Sequence, residues 1–269
     1  MGLLDELKQQ ADSLREKQQV TQAELNQNLV LTHTKLSVAL HYWVELFSSL
    51  NVIKPVVSRY YYLEGGVTQL ENLLQCDYNV NGKRLTVDHK DYIEAIVLRF
   101  RCAADKQQIT IEKQSDPMVK RLRDHLWQNN LRFDVKEIRN ERGYIERGIF
   151  TINCEVPVII TLVGDLENAQ IKIIAKNLEK LGEYSYRYDF DEFGKEVLEE
   201  LAKAIIAKPN NFRSLGKYQM SMSVTSTRVP RPAEPPAKPV AQPPQQQPAD
   251  DGGDPTKSFI GSVKSILKR

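Results

Sequence analysis

Leu73–His89 reads LLQCDYNVNGKRLTVDH. Two runs of strand-type residues, Leu73–Val80 and Lys83–His89, flank the dipeptide Asn81-Gly82. Asn-Gly favours the positive φ angles of a type I′ turn, whose twist matches that of two paired strands. The stretch is therefore expected to be an antiparallel hairpin. Downstream, Tyr92–Ala103 and Ile109–Lys113 form a second expected hairpin, around Asp105-Lys106. Further strands are expected at Leu131–Ile138, Tyr144–Val156, Val158–Val163, Ala169–Asn177 and Tyr184–Phe190, and Val56–Leu63 precedes them all. Sequential strands with short turns and few helices indicate an α+β fold with a largely antiparallel sheet.

Two covering helices are expected. Asp116-Pro117 opens the first, which runs to about Asn130 with Val119, Leu122 and Leu126 inward. The second, about Glu192–Lys208, carries Phe193, Val197, Leu198, Leu201, Ile205 and Ile206 on its apolar side and stops at Pro209. Asp189, Asp191 and Glu192 sit at its start, where an N-cap and a dipole partner are expected; that reading outweighs a catalytic pair.

Residues 1–51 read as a long N-terminal helix, ended by Pro55. Its second half, through Leu50, is apolar enough to lie on the sheet. Residues 3–25 are Gln-rich with a thin apolar seam that includes Leu4, Leu7, Leu14 and Leu25. Coiled-coil self-association, hence a homo-oligomer, and packing on the body are equally compatible with that seam. Thr21-x-x-Glu24 fits a capping box, so a helix break is expected there. The domain reading is thus helix 1–51, α+β body 52–209, disordered Pro/Gln-rich linker 210–253 and amphipathic helix 254–269.

The last residues, TKSFIGSVKSILKR, carry the clearest functional signal. At 100° per residue Phe259, Ile260, Val263, Ile266 and Leu267 fall within an arc of about 120°, bordered by Lys257, Lys264 and Lys268. Asp254-Pro255 supplies a helix start, and Lys268-Arg269 suit the C-terminal dipole. Such a helix docks in a partner's groove or on an anionic membrane surface. Burying five apolar side chains gives roughly 8–12 kcal/mol gross, and ordering the flexible segment costs a similar amount. One copy is expected to bind weakly, and paired copies to gain by effective concentration.

Charge agrees with this division. The chain is +2 overall. From Lys208 onward ten Lys or Arg oppose four acids, which makes the tail basic and the remainder slightly acidic. Cys76, Cys102 and Cys154 are odd in number, lack a CxxC and are expected to be buried free thiols of a cytoplasmic protein. The start of the chain lacks the pattern of a secretory signal, and no run approaches the roughly 20 apolar residues of a membrane span.

Phosphate-binding glycine loops, Gly-x-Ser-x-Gly and His-Glu-x-x-His are absent from the sequence. Gly65-Gly66 and Gly164-Asp165 read as turns. Tyr184, Tyr186, Tyr188 and Phe190 share one strand face. They are expected to lie buried beneath a helix such as Leu36–Leu50; a stacking platform for single-stranded nucleic acid is the lesser reading. No catalytic residue, metal ligand or cofactor is assigned.

The leading expectation is a non-enzymatic interaction or adaptor protein whose tail helix tethers the body to a larger protein assembly. The alternative is a cytoplasmic, membrane-peripheral protein using the same helix on anionic lipid. Nucleic-acid binding ranks below both. An enzyme would need convergent side chains in a deep pocket, which no motif reveals. The layout is similar to the docking peptides of bacterial protein shells and to the membrane-targeting helices of bacterial cytoskeletal proteins. That likeness covers residues 254–269 alone and implies placement, not chemistry.

Overall fold

Phe150, Ile152, Val156, Val158, Ile160 and Leu162 alternate along one strand and all face inward at 0% exposure. That strand, β5 (Ile145–Asp165), is the spine of an eight-stranded antiparallel sheet in a computed structural model. The structure describes residues 3–220 apart from 64, 65 and 67, and side chains from Val20 onward except those of 105, 106 and 218–220.

In chain order, α1 (Leu3–Ile53) precedes β1 (Ser58–Tyr62), β2 (Gln69–Val87) and β3 (Lys90–Gln114). Then come α2 (Asp116–Gln128), β4 (Phe133–Arg139), β5 and β6 (Gln170–Lys176). The described chain closes with β7 (Glu183–Asp189), α3 (Lys195–Ile205), α4 (Phe212–Leu215) and β8 (Lys217–Met220). Across the sheet the order is β1-β2-β3-β5-β6-β7-β8, with β4 also on β5. The fold is α+β, with a curled, largely antiparallel sheet, a long N-terminal helix and a few short helices.

The expected turn at Asn81-Gly82 does not form. β2 runs straight through it, with Asn81 opposite Val97 and Gly82 opposite Ile96, and the hairpin turn falls instead at Asp88-His89. There both residues take positive φ, 49° and 62°. Gly82 serves a different purpose: a Cβ on it would lie 3.1 Å from Leu40 Cδ2 of α1. Gly164 is likewise a strand residue, paired with Ile171, and a Cβ there would collide with Thr32 of α1. Gly148 makes the same allowance for Val119 of α2. These glycines seat helices close against strands rather than turn the chain.

Asp105-Lys106 is not a turn either. β3 continues through it, and the ladder to β5 slips between Ala103 and Gln108. The expected break at Thr21 is also absent, since α1 is one continuous helix of 51 residues. Between Val20 and Ile53 it contains a stretch long and apolar enough to span a bilayer, contrary to the sequence expectation. Its inner face is spent on the sheet, with Leu36, Ala39 and Trp43 at 0% exposure. Nor does Pro209 end the body. Phe212 is buried and β8 pairs with β7, so 210–220 belong to the sheet and its cover.

Strand β5 was expected to divide at Pro157 and does not. β4 pairs with its first part up to Ile152, and β6 with its second part from Ile159. Pro157 lies in the gap between them, where its missing N–H breaks no ladder bond. Asn177 fills that gap. Its Nδ2 donates to Pro157 O at 3.0 Å and to Asn129 O, at the end of α2, at 2.9 Å. Its Oδ1 accepts from Gly182 N, and its own carbonyl accepts from Tyr61 Oη of β1 at 2.9 Å. Asn177 is 0% exposed with φ 58°, a left-handed conformation that Asn tolerates.

The concave side holds the helices. Asn28 Nδ2 of α1 donates to Leu166 O, and Asn51 exchanges two bonds with the backbone of Tyr78. Helix α3 follows β7, yet its C-terminal end meets the opposite edge of the sheet. Buried Arg59 of β1 donates to Ala204 O at 2.5 Å and Ile205 O at 2.8 Å, and Gln75 of β2 donates to Ile205 O at 2.7 Å. Orphan carbonyls at a helix end thus receive a cation and an amide.

Asn177→Ala is expected to lower the unfolding free energy by about 3 kcal/mol, because several buried groups lose their partner together. Asn168→Ala, on the exposed turn before β6, should cost under about 1 kcal/mol. Urea denaturation of both variants checks this; equal effects would remove Asn177 from its central place.

Candidate functional site

The three tyrosines Tyr60-Tyr61-Tyr62 alternate across β1, so one points in and two point out. Tyr61 is 1% exposed, whereas Tyr60 and Tyr62 stand at 61% and 53%. The outer rings meet edge to face with centroids 5.7 Å apart. Beside them, on the convex face, lies an open groove of about 800 Å³ lined by Asn72, Leu74, Arg101, Gln108, Asn153 and Glu155 among others. A smaller depression of about 320 Å³ beneath the tyrosines shares Asn72 with it. The joined surface crosses β1, β2, β3 and β5.

Irregular pairing produces the groove. The β1–β2 register shifts between Arg59 and Tyr61, the β2–β3 register between Cys76 and Asn79, and the β3–β5 register between Ala103 and Gln108. Asn72 and Asp77 take positive φ, 54° and 58°. Bulges on adjacent strands re-aim side chains and gather at functional surfaces. In the widest gap, residues 104–107 of β3 face only Cys154 of β5. Those residues have no ladder partner among the described residues.

Arg101 is clamped in the groove. Its Nε donates to Asp77 Oδ2 at 2.6 Å, and an Nη lies 3.0 Å from Glu155 Oε1. The hydrogen bonds it donates to Glu155 and Asp77 raise its pKa further. A guanidinium shared by two carboxylates presents little free positive charge to a ligand. Gln108 Nε2 donates to Asn153 Oδ1 at 2.9 Å. The groove therefore offers carboxamides, carboxylates and aromatic edges.

The residues singled out from sequence fall elsewhere. Leu25 is half-buried, and the helix backbone runs through Leu4, Leu7 and Leu14. Lys257, Phe259, Ile260, Val263, Lys264, Ile266, Leu267 and Lys268 lie outside the described residues. Tyr186, Tyr188 and Phe190 are buried as expected while Tyr184 is half-buried, and Tyr186 and Tyr188 pack on Phe212 of α4. Asp189 does not cap α3. It accepts from Lys217 and from Gln170, which hold its carboxyl below the ordinary range, and the N-cap position is Gly194. Among the described residues no cluster of His, Cys, Asp and Glu could hold a metal ion.

The groove itself escaped the sequence reading, since it depends on registers between distant strands. Alternation across Tyr60-Tyr61-Tyr62 was the one available signal. No protein-family model, curated protein or solved structure matches the chain.

Burial sets the titration of the core. It pushes the Cys102 thiol up to about 11 and the Tyr78 phenol up to about 12, and raises Tyr61 and Tyr188 as well. These groups stay protonated when folded and ionise more readily when unfolded. Their contribution is full below the ordinary values of 9.0 and 10.0 and is lost as pH rises. The urea midpoint is expected to hold steady between about pH 7 and 8.5 and to fall progressively above about 9; a midpoint that rises there would contradict the assignment. Cys76 is half-buried, unlike Cys102 and Cys154. A thiol reagent at pH 8 should therefore label Cys76 before the other two, as peptide mapping of early time points would show.

Proposed function

We propose that this chain is a non-enzymatic interaction protein of the adaptor type. Its α+β body binds a partner, copies pair through α1, and the C-terminal helix 254–269 tethers the body to a larger protein assembly. The observation that carries this reading is the reach of α1. At Asn28 the helix bonds the body through Leu166 O, and its backbone continues N-terminal to that point through residues 3–24, about 33 Å at 1.5 Å per residue. A helix of that length gains little stability alone in water. Pairing with a second copy through the seam of Leu4, Leu7 and Leu14 would stabilise it.

The exposed face of α1 supports pairing. Val30, Leu31, Val38 and Val44 stand at 49%, 39%, 64% and 51% exposure. Between Glu24 and Glu45 the exposed positions carry no Lys, Arg, Asp or Glu, because Lys35 turns inward to donate to Phe193 O. Two tails on one paired particle then share one target, which offsets the weakness of each. The alternative target is an anionic membrane, which the three lysines beside the apolar arc would suit.

Light scattering of the full chain is expected to give a dimer, and removal of residues 1–24 or the pair Leu31→Lys and Val38→Lys a folded monomer. A monomeric full chain at all concentrations would remove the pairing. Flotation with anionic vesicles, with and without residues 254–269, separates the targets. Loss of flotation with the tail establishes lipid as the target, and absence of flotation throughout leaves the protein assembly.

A further inference from the structure

The convex groove has the chemistry of a peptide site. Asn72 and Gln107 project carboxamides with no hydrogen-bond partner among the described residues, and each carboxamide carries the donor and acceptor of a peptide group. Residues 104–107, which have no ladder partner among the described residues, interrupt the pairing of β3 beside them. A main chain laid across this surface finds a donor and an acceptor on each carboxamide. The four strands span about 15 Å at their usual spacing, room for about five extended residues at roughly 3.3 Å each.

Side-chain character narrows the ligand. The edge-to-face corner of Tyr60 and Tyr62, with Leu74 at 46% exposure nearby, suits a proline ring or an aliphatic side chain. Glu155 lines the groove and Glu71 the smaller depression, while Arg101 is already held by Glu155 and by Asp77 beside it, and Arg59 turns inward to α3, so acid is in excess. The described side chains therefore favour a cation and disfavour a phosphate backbone.

We propose that the groove between β1 and β5 binds an extended, basic peptide segment of a partner protein. The peptide main chain bonds to the carboxamides of Asn72 and Gln107. A proline or aliphatic side chain sits against Tyr60 and Tyr62, and a Lys or Arg meets Glu71 or Glu155. This rests on the reading of the body as a binding module, and it is independent of pairing by α1 and of docking by the tail.

The probe is a random library of 12-residue peptides displayed on beads and exposed to the full chain, with a panel of neutral oligosaccharides beside it. Enrichment of basic sequences containing proline or aliphatic residues is expected. The double variant Tyr60→Ser, Tyr62→Ser should weaken the selected peptides at least tenfold at unchanged melting temperature, because both side chains are exposed. Asn72→Ala, a separate variant, should weaken them several-fold. Enrichment of acidic sequences, absence of enrichment, selective binding of an oligosaccharide or equal affinity in all variants would each overturn the proposal. Light scattering and vesicle flotation on the same variants report α1 and the tail independently, so failure here is distinguishable from failure of the adaptor reading.

Discussion

A gap in the ladder of β5 is closed by one side chain, and much of the body meets there. Pro157 cannot donate, and β4 and β6 leave it uncovered between Ile152 and Ile159. Asn177 enters that gap, bonding Pro157, the end of α2 and Gly182, while its carbonyl takes the hydroxyl of Tyr61. A buried polar group left without partners is costly, so a site like this has few acceptable arrangements. It links the first strand to the sixth across the curl of the sheet. The concave side, with α1, α2 and α3 inside it, depends on that closure.

What could be read in the sequence was local and periodic. Leu36, Ala39, Trp43 and Leu50 repeat at helical spacing and are buried, and Val119, Leu122 and Leu126 of α2 behave the same way. Tyr186 and Tyr188 face inward as alternation demands. Glycine misled, because its local meaning is a turn and its meaning here is proximity. Nothing near Gly82 or Gly164 in the chain announces Leu40 or Thr32 above them. Asp105-Lys106 has turn chemistry, yet the pairing of β3 with β5 on both sides of it reduces it to an irregularity. The groove is built from three such irregularities on different strands, so no window of sequence contains it.

The two faces of the sheet divide the labour. The inner face is filled by aromatic and aliphatic side chains that hold helices in place. The outer face carries half-buried side chains along β5 and the open surface around Arg101. The clamp of Arg101 between Asp77 and Glu155 fixes the neighbouring backbone at the Cys76–Asn79 bulge, where Asn51 of α1 also bonds Tyr78. The long helix and the outer groove thus brace the same stretch of β2 from opposite sides.

The burial of Arg59 bears on how the chain acquires its structure. Among the described residues this guanidinium faces no carboxylate; its described partners are the last carbonyls of α3, some 145 residues later in the chain. A charge of this kind is stable in the interior only once those carbonyls arrive. While the chain is being synthesised, the first strands can pair with one another but cannot seal their inner edge. The sheet stays open on that side until α3 has emerged. Closure is thereby tied to completion of the body, and a truncated product lacking α3 would expose an unfinished interior to quality control.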